Sequence, residues 1–139
     1  SPWSTEEKWS SEENQARYVP QAFARGMSAN LESVIWFTLV DYETKYGFGL
    51  LNPDYSEKQS YQAYQTLSSE LVGAQYLRRL PDDETGGSEI EAYEFTLPCP
   101  DRFLWVVWTN AENKRQMDFP VSRLRVVDKF GSETIVIDG

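Results

Sequence analysis

Behind the start Ser11-Glu-Glu-Asn, the apolar residues Ala16, Val19, Phe23 and Met27 recur three or four positions apart. That spacing predicts an amphipathic helix over Glu12 to Ala29, with Ser11 as its cap and two acids in its first turn. Pro20 falls inside it and predicts a kink or the loss of one backbone bond, and Gly26 weakens the last turn. The run ESVIWFTLVD, residues 32–41, is continuously apolar and rich in β-branched and aromatic residues. Val34 to Val40 therefore reads as a parallel strand buried on both faces. A second helix is predicted over Glu57 to Val72, with Tyr61, Tyr64, Leu67 and Leu71 on one stripe and Gly73 as its stop.

After Ala74 the period changes. AYEFTLP alternates, FLWVVWT reads as a buried strand, and RLRVVDK and ETIVIDG flank a turn at residues 129–132. Short strands at this spacing predict a small antiparallel β-sandwich over residues 75–139. PDDETGGSE reads as an acidic, glycine-bearing loop and NAENKRQ as a charged hairpin tip. The expected fold class is α/β plus β, with a helix-strand-helix unit in residues 1–74 followed by the sandwich.

Composition narrows the chemistry. The chain has 139 residues, 40% of them hydrophobic and 14% aromatic, enough for a core in one domain or two small pieces. Thirteen basic against 22 acidic residues give a net charge of −9, which repels phosphate backbones and anionic lipid, so neither nucleic acid nor membrane is an expected partner. There is no histidine and a single cysteine, Cys99, which excludes the usual zinc sites, every histidine-based triad and an internal disulfide framework. Nothing calls for a cofactor or a metal. The longest apolar run is too short to span a bilayer, and no basic-then-apolar leader opens the chain. SPWSTEEKWSS reads as the interior of a loop, so the chain is expected to be cut from a longer protein.

The order of the pieces carries a resemblance. QARYVPQAFARGMSANLESVIWFTLVD, then YGFGLL, then SEKQSYQAYQTLSSELVGAQYL, then short strands containing WVVW and VVDKFG, resembles the C-terminal end of clan A retaining glycoside hydrolases. In those enzymes a (β/α)8 barrel is followed by an appended β-sandwich. The likeness covers nearly the whole chain and is most specific from Gln15 to Leu77. It implies that residues 1–74 are the C-terminal remnant of a TIM barrel: its seventh helix, eighth strand and eighth helix. YGFGLLNPDY would then be the loop after the eighth strand, on the catalytic face. The family often writes the start of the next helix with prolines around the lysine and an alanine before the tyrosine. Glu57, Gln59 and Ser60 occupy those positions here, while Lys58, Tyr61, Ala63, Tyr64 and Leu67 fit.

The resemblance also implies what the chain lacks. Retaining glycosidases use two carboxylates about 5 Å apart, placed in this clan at the ends of the fourth and seventh strands, upstream of Ser1. No catalytic residue is therefore expected here, and the 139 residues alone should not hydrolyse a glycoside. Substrate-binding candidates are Trp36, Asp41 and Trp3. Trp36 matches the tryptophan that often floors the family's sugar site, where an aromatic face stacks on a pyranose; the competing reading is a core residue. Asp41 stands at the end of the eighth-strand segment, as a site group or as a cap. Trp3 and Trp9 would rim the cleft. Glu6 and Glu7 read as dipole partners ahead of a helix. Trp105 and Trp108 lie three apart and so face opposite sides of a strand. Cys99, between two prolines, reads as a passive thiol.

Two functional readings follow. One is a C-terminal piece of a secreted or cell-envelope glycosidase whose substrate is a carbohydrate. The other is a non-catalytic carbohydrate-binding or interaction module. The unpaired sides of the Val34–Val40 strand would also invite self-association through edge pairing.

Overall fold

A computed structural model describes residues 11–42, 47–99 and 102–137. In chain order it contains α1 (Glu12–Ser28), α2 (Gln59–Glu70), β1 (Gln75–Arg79), α3 (Asp82–Thr85), β2 (Ile90–Thr96), β3 (Phe103–Thr109), β4 (Arg123–Val127) and β5 (Glu133–Ile137).

Helix α1 begins as its sequence predicts. The Ser11 hydroxyl accepts from the Asn14 N–H at 3.2 Å, and the helix then runs through Pro20 without interruption. It ends with Asn30 in the left-handed region (φ 54°), while the Leu31 N–H donates back to the Gly26 carbonyl at 3.1 Å, closing the last turn as a Schellman motif does. Gly26 has a specific reason to be glycine: a Cβ there would lie 2.3 Å from Val34 Cγ2. The missing side chain lets the segment after the helix fold back onto it.

Helices α1 and α2 pack through small side chains, with Ala16, Val19 and Ala63 almost fully buried and the Phe23 and Tyr64 rings meeting edge to face at 5.4 Å. The buried face of α2 is Ser60, Ala63 and Leu67, so Tyr61 stands beside the contact instead of in it. Close approach of two helices favours small residues at the seam and moves large ones to its margins.

Strands β1, β2 and β3 form an antiparallel sheet in that order. β2 is central and buried from Ile90 to Phe95. Its Tyr93 and Phe95 face the helices, packed with Ala24, Met27 and Leu71, so α1 contributes to the core of both the helical and the strand region. Trp105 and Trp108 do fall on opposite faces. Trp108 stacks on Tyr93 at 5.5 Å on the helix side, while Trp105 lies against Phe119 at 5.3 Å and donates its indole N–H to Glu94 on the other.

Four expectations need correction. Val34–Val40 is not a strand and is not buried on both faces. Among the described residues its one bridge is Val40 with Leu51, and Ile35, Phe37 and Leu39 are 85%, 72% and 57% exposed. The alternation is strand-like, but a parallel strand exists only between hydrogen-bonded neighbours, and among the described residues none lies along residues 34–38. Next, the strands do not form a sandwich of two facing layers. β4 and β5 make a separate two-stranded sheet, and β5 is exposed at every residue. Residues 110–116 are accordingly no hairpin tip, because the strands they separate belong to different sheets. The predicted 81–89 loop contains the short helix α3, closed by Gly86 at φ 87°. No described helix is long and apolar enough to cross a membrane, and no group of three or more potential metal ligands occurs among the described residues.

Candidate functional site

The site is built where the chain passes from residue 36 to the start of α2. Leu39 and Asp41 are joined to Leu50 and Leu51 by short backbone bonds: both leucine N–H groups donate to the Leu39 carbonyl, and the Asp41 N–H donates to that of Leu51. Beyond them, Leu51 bridges to Glu57 around a turn closed by its own polar groups. There Asn52 bonds to Ser56 through backbone and side chain, and Asp54 accepts from the Ser56 N–H and hydroxyl. The Asn-Pro-Asp stretch therefore forms a short rigid return that delivers Lys58 to the N-terminus of α2.

Inside this return lies a buried polar cluster. Lys58, only 2% exposed, donates its ammonium to Asp41 Oδ2 at 2.9 Å and to the Gly47 carbonyl at 3.1 Å. Asp41, 7% exposed, accepts from the Gly49 N–H at 2.5 Å through its other oxygen. Gly49 can approach so closely because it has no Cβ; one would sit 2.6 Å from the Asp41 nitrogen. From α1, the fully buried Gln15 amide points at the carbonyls of Gly47, Phe48 and Gly49 at 3.0, 3.2 and 3.2 Å, and its oxygen accepts from the Ser60 hydroxyl of α2. The result satisfies the demand that buried charges be paired and hydrogen-bonded.

Trp36 is tied to this cluster. Its indole N–H donates to the Phe48 carbonyl at 3.0 Å, and its ring lies 6.1 Å from that of Tyr18 on α1 at a tilted angle. The side chain is half-buried. Thus Trp36 and Asp41, singled out by the sequence, belong to one constellation, joined through residues 47–49. Trp3, Trp9, Glu6 and Glu7 lie outside the described residues. Sequence reasoning missed the parts played by Gln15 and Phe48, and it took Lys58 only as a matching position. The available signal was the Gly-Phe-Gly spacing, which marks backbone that other groups approach closely. Cys99 is exposed and free.

A second charged cluster sits between α1 and the sheet. Arg25 grips Glu91 with two hydrogen bonds at 2.6 and 2.9 Å and lies 5.1 Å from the centre of the Trp108 ring. Tyr93 donates to the same carboxylate at 2.7 Å. The Arg25 bonds, reinforced by Tyr93, outweigh desolvation and hold the Glu91 carboxyl down at about 2. Its role is to lock α1 onto β2 and β3.

With that geometry in place, one solved structure decides what the fold is similar to. A family 39 glycoside hydrolase from the gut symbiont Bacteroides cellulosilyticus WH2 superposes on 88% of this chain with a TM-score of 0.73 and 22% identity. The chain has the fold of part of a glycoside hydrolase. It spans 26% of that enzyme's chain. No protein-family model matches it, and no curated protein matches it by sequence. At this identity the likeness is one of fold, and the geometry around Trp36 has to carry any argument about chemistry.

Proposed function

We propose that this chain is the C-terminal part of a retaining glycoside hydrolase acting on a carbohydrate polymer or oligosaccharide. Residues 1–74 belong to its (β/α)8 barrel and residues 75–139 to an appended β-domain. The fold shared with a glycoside hydrolase over most of the chain supports the class. The single observation that carries the site is the half-buried Trp36 indole, held by its N–H on the Phe48 carbonyl. An indole fixed at one edge is suited to stack on the apolar face of a pyranose. In this reading Trp3 is a further substrate-binding residue. Asp41 acts through the Gly49 N–H that it holds, and the two catalytic carboxylates come from the remainder of the enzyme. The exposed Ile35, Phe37 and Leu39 of segment 34–40 would be covered by neighbouring parts of the longer enzyme.

The test is hydrolysis of aryl glycosides by the longer protein that contains this chain. Retention of anomeric configuration is expected. Trp36→Ala should lower kcat/KM at least roughly tenfold through lost sugar positioning, whereas Glu6→Gln and Glu7→Gln should leave it nearly unchanged. A large loss in either glutamate variant beside a normal Trp36→Ala would overturn the placement of the nucleophile. Saccharide binding with no hydrolysis in the longer protein would instead favour a non-catalytic binding module.

A further inference from the structure

We propose that Asp41 and Lys58 are positioning residues for Trp36, acting through the backbone of residues 47–49; the inference rests on the sugar-stacking reading of Trp36. Burying a lysine and an aspartate together is a poor way to gain stability, because desolvation of both ions offsets most of their attraction and an apolar pair of similar volume often does as well. What the pair does supply is geometry. The residue whose carbonyl receives the Trp36 indole, Phe48, has both neighbours gripped: Lys58 and Gln15 hold the Gly47 carbonyl, and Asp41 holds the Gly49 N–H. The Phe48 carbonyl is thereby fixed in direction as well as place, and Gln15 lies 3.2 Å from it too. A ring that must lie parallel to a sugar face is only as well oriented as the group its edge is tied to. Asp41 holds the N–H of the same peptide group whose oxygen receives the Trp36 indole, and Lys58 holds the carbonyl of the peptide group before it.

The consequence can be read on the chain itself by NMR. One of the five tryptophan indole resonances belongs to Trp36 and is assigned by its disappearance in Trp36→Phe. In Lys58→Met the Trp36 indole N–H should exchange with solvent roughly tenfold faster and shift upfield as its bond to Phe48 weakens, while the amides of β2 keep their protection. Because Lys58→Met strands a buried carboxylate, the double variant Asp41→Asn, Lys58→Met is measured beside it. That variant carries no buried charge at either position and should show the same selective loss at Trp36. An unchanged Trp36 signal in the double variant overturns the inference. So does a loss spread evenly over Trp36 and β2, which would make the pair a general anchor. Oligosaccharide titration of the unaltered chain, followed on the same resonance, separates the two ideas. Selective loosening in the variants without any response to sugar removes the stacking role and leaves the coupling. A sugar response with unchanged indole exchange in both variants removes the coupling alone.

Discussion

Around Phe48 the contacts that fix the chain are polar: an ammonium, a carboxylate and a side-chain amide all converge on three consecutive peptide groups. Around Phe95, on the other side of α1, they are apolar. Ala24, Tyr93 and Phe95 are buried and wrapped by Met27, Leu71, Tyr76 and Trp108. The difference is one of purpose. Apolar packing is non-directional and grows with area, so it stabilises the fold without dictating the direction of any single atom. A buried ion pair contributes little net stability over an apolar pair of similar volume, but its hydrogen bonds tolerate only narrow geometry. The region that holds Trp36 is built for direction, and the region under the sheet is built for stability.

The largest effect should therefore come from the sheet. Phe95 is fully buried, and Phe95→Ala should destabilise the chain by about 3–5 kcal/mol, the usual cost of a buried phenylalanine with its cavity. Urea or guanidinium unfolding measures it. A loss under about 1 kcal/mol would mean that the sheet is not the stable half, since fully buried aromatics do not normally leave so cheaply.

Between the two halves stands the Arg25–Glu91 pair. The carboxyl of Glu91 lies below its ordinary value in the folded chain, at about 2, so it contributes stability that is fully present above its unfolded value and is lost as pH falls toward 2. Acidification from about pH 5 to pH 2 should cost on the order of 2 kcal/mol through this group. In Glu91→Gln that part of the acid sensitivity should vanish, leaving a flatter stability profile over the same interval. A variant as acid-sensitive as the unaltered chain would show that other carboxylates, such as Glu70 paired with Arg125, dominate.

How much of this was legible in advance depends on the range of the interaction. Helix α1 and strands β2 and β3 were readable as elements because their signals are local: Ser11 before two acids, Ala16 and Val19 on one face, the alternation of AYEFTLP and the apolar run FLWVVWT. Yet it is β2 that is buried throughout, and β3, read as buried, that is partly exposed. Segment 34–40 was misread because Ile35, Phe37 and Leu39 state only that they are apolar; a local run cannot say whether neighbouring strands pair with it. β4 and β5 were rightly read as strands, yet alternation cannot say which sheet a strand joins. The buried cluster was least legible. Asp41 and Lys58 lie 17 positions apart and Gln15 and Gly49 lie 34 apart, so no period links them. Only the close approach of backbone at Gly49 left a trace in the sequence, as a glycine.

The smallest effect should come from the β4–β5 hairpin, which belongs to neither mode. It turns through Asp128, whose carboxylate accepts from the Phe130 and Ser132 N–H groups, with Gly131 at φ 86°. Its ties to the helices are charged contacts at the surface: Arg125 to Glu70 of α2 at 2.7 Å, and Lys129 to Glu13 of α1 at 2.9 Å. Arg125 also bonds to Glu133 across the hairpin. Exposed pairs contribute between nothing and about 1 kcal/mol and are screened by salt, and a lone two-stranded hairpin is marginal in water. Arg125→Ala should thus lower global stability by less than about 1 kcal/mol, with the deficit shrinking further in about 0.5 M salt. The same variant should accelerate amide exchange in β4 and β5 while β2 stays protected, because the hairpin can open without the sheet. If instead Arg125→Ala cost as much as Phe95→Ala and loosened both sheets together, the hairpin would be part of the common core despite its exposure, and the division into directional and stabilising regions would have to include it.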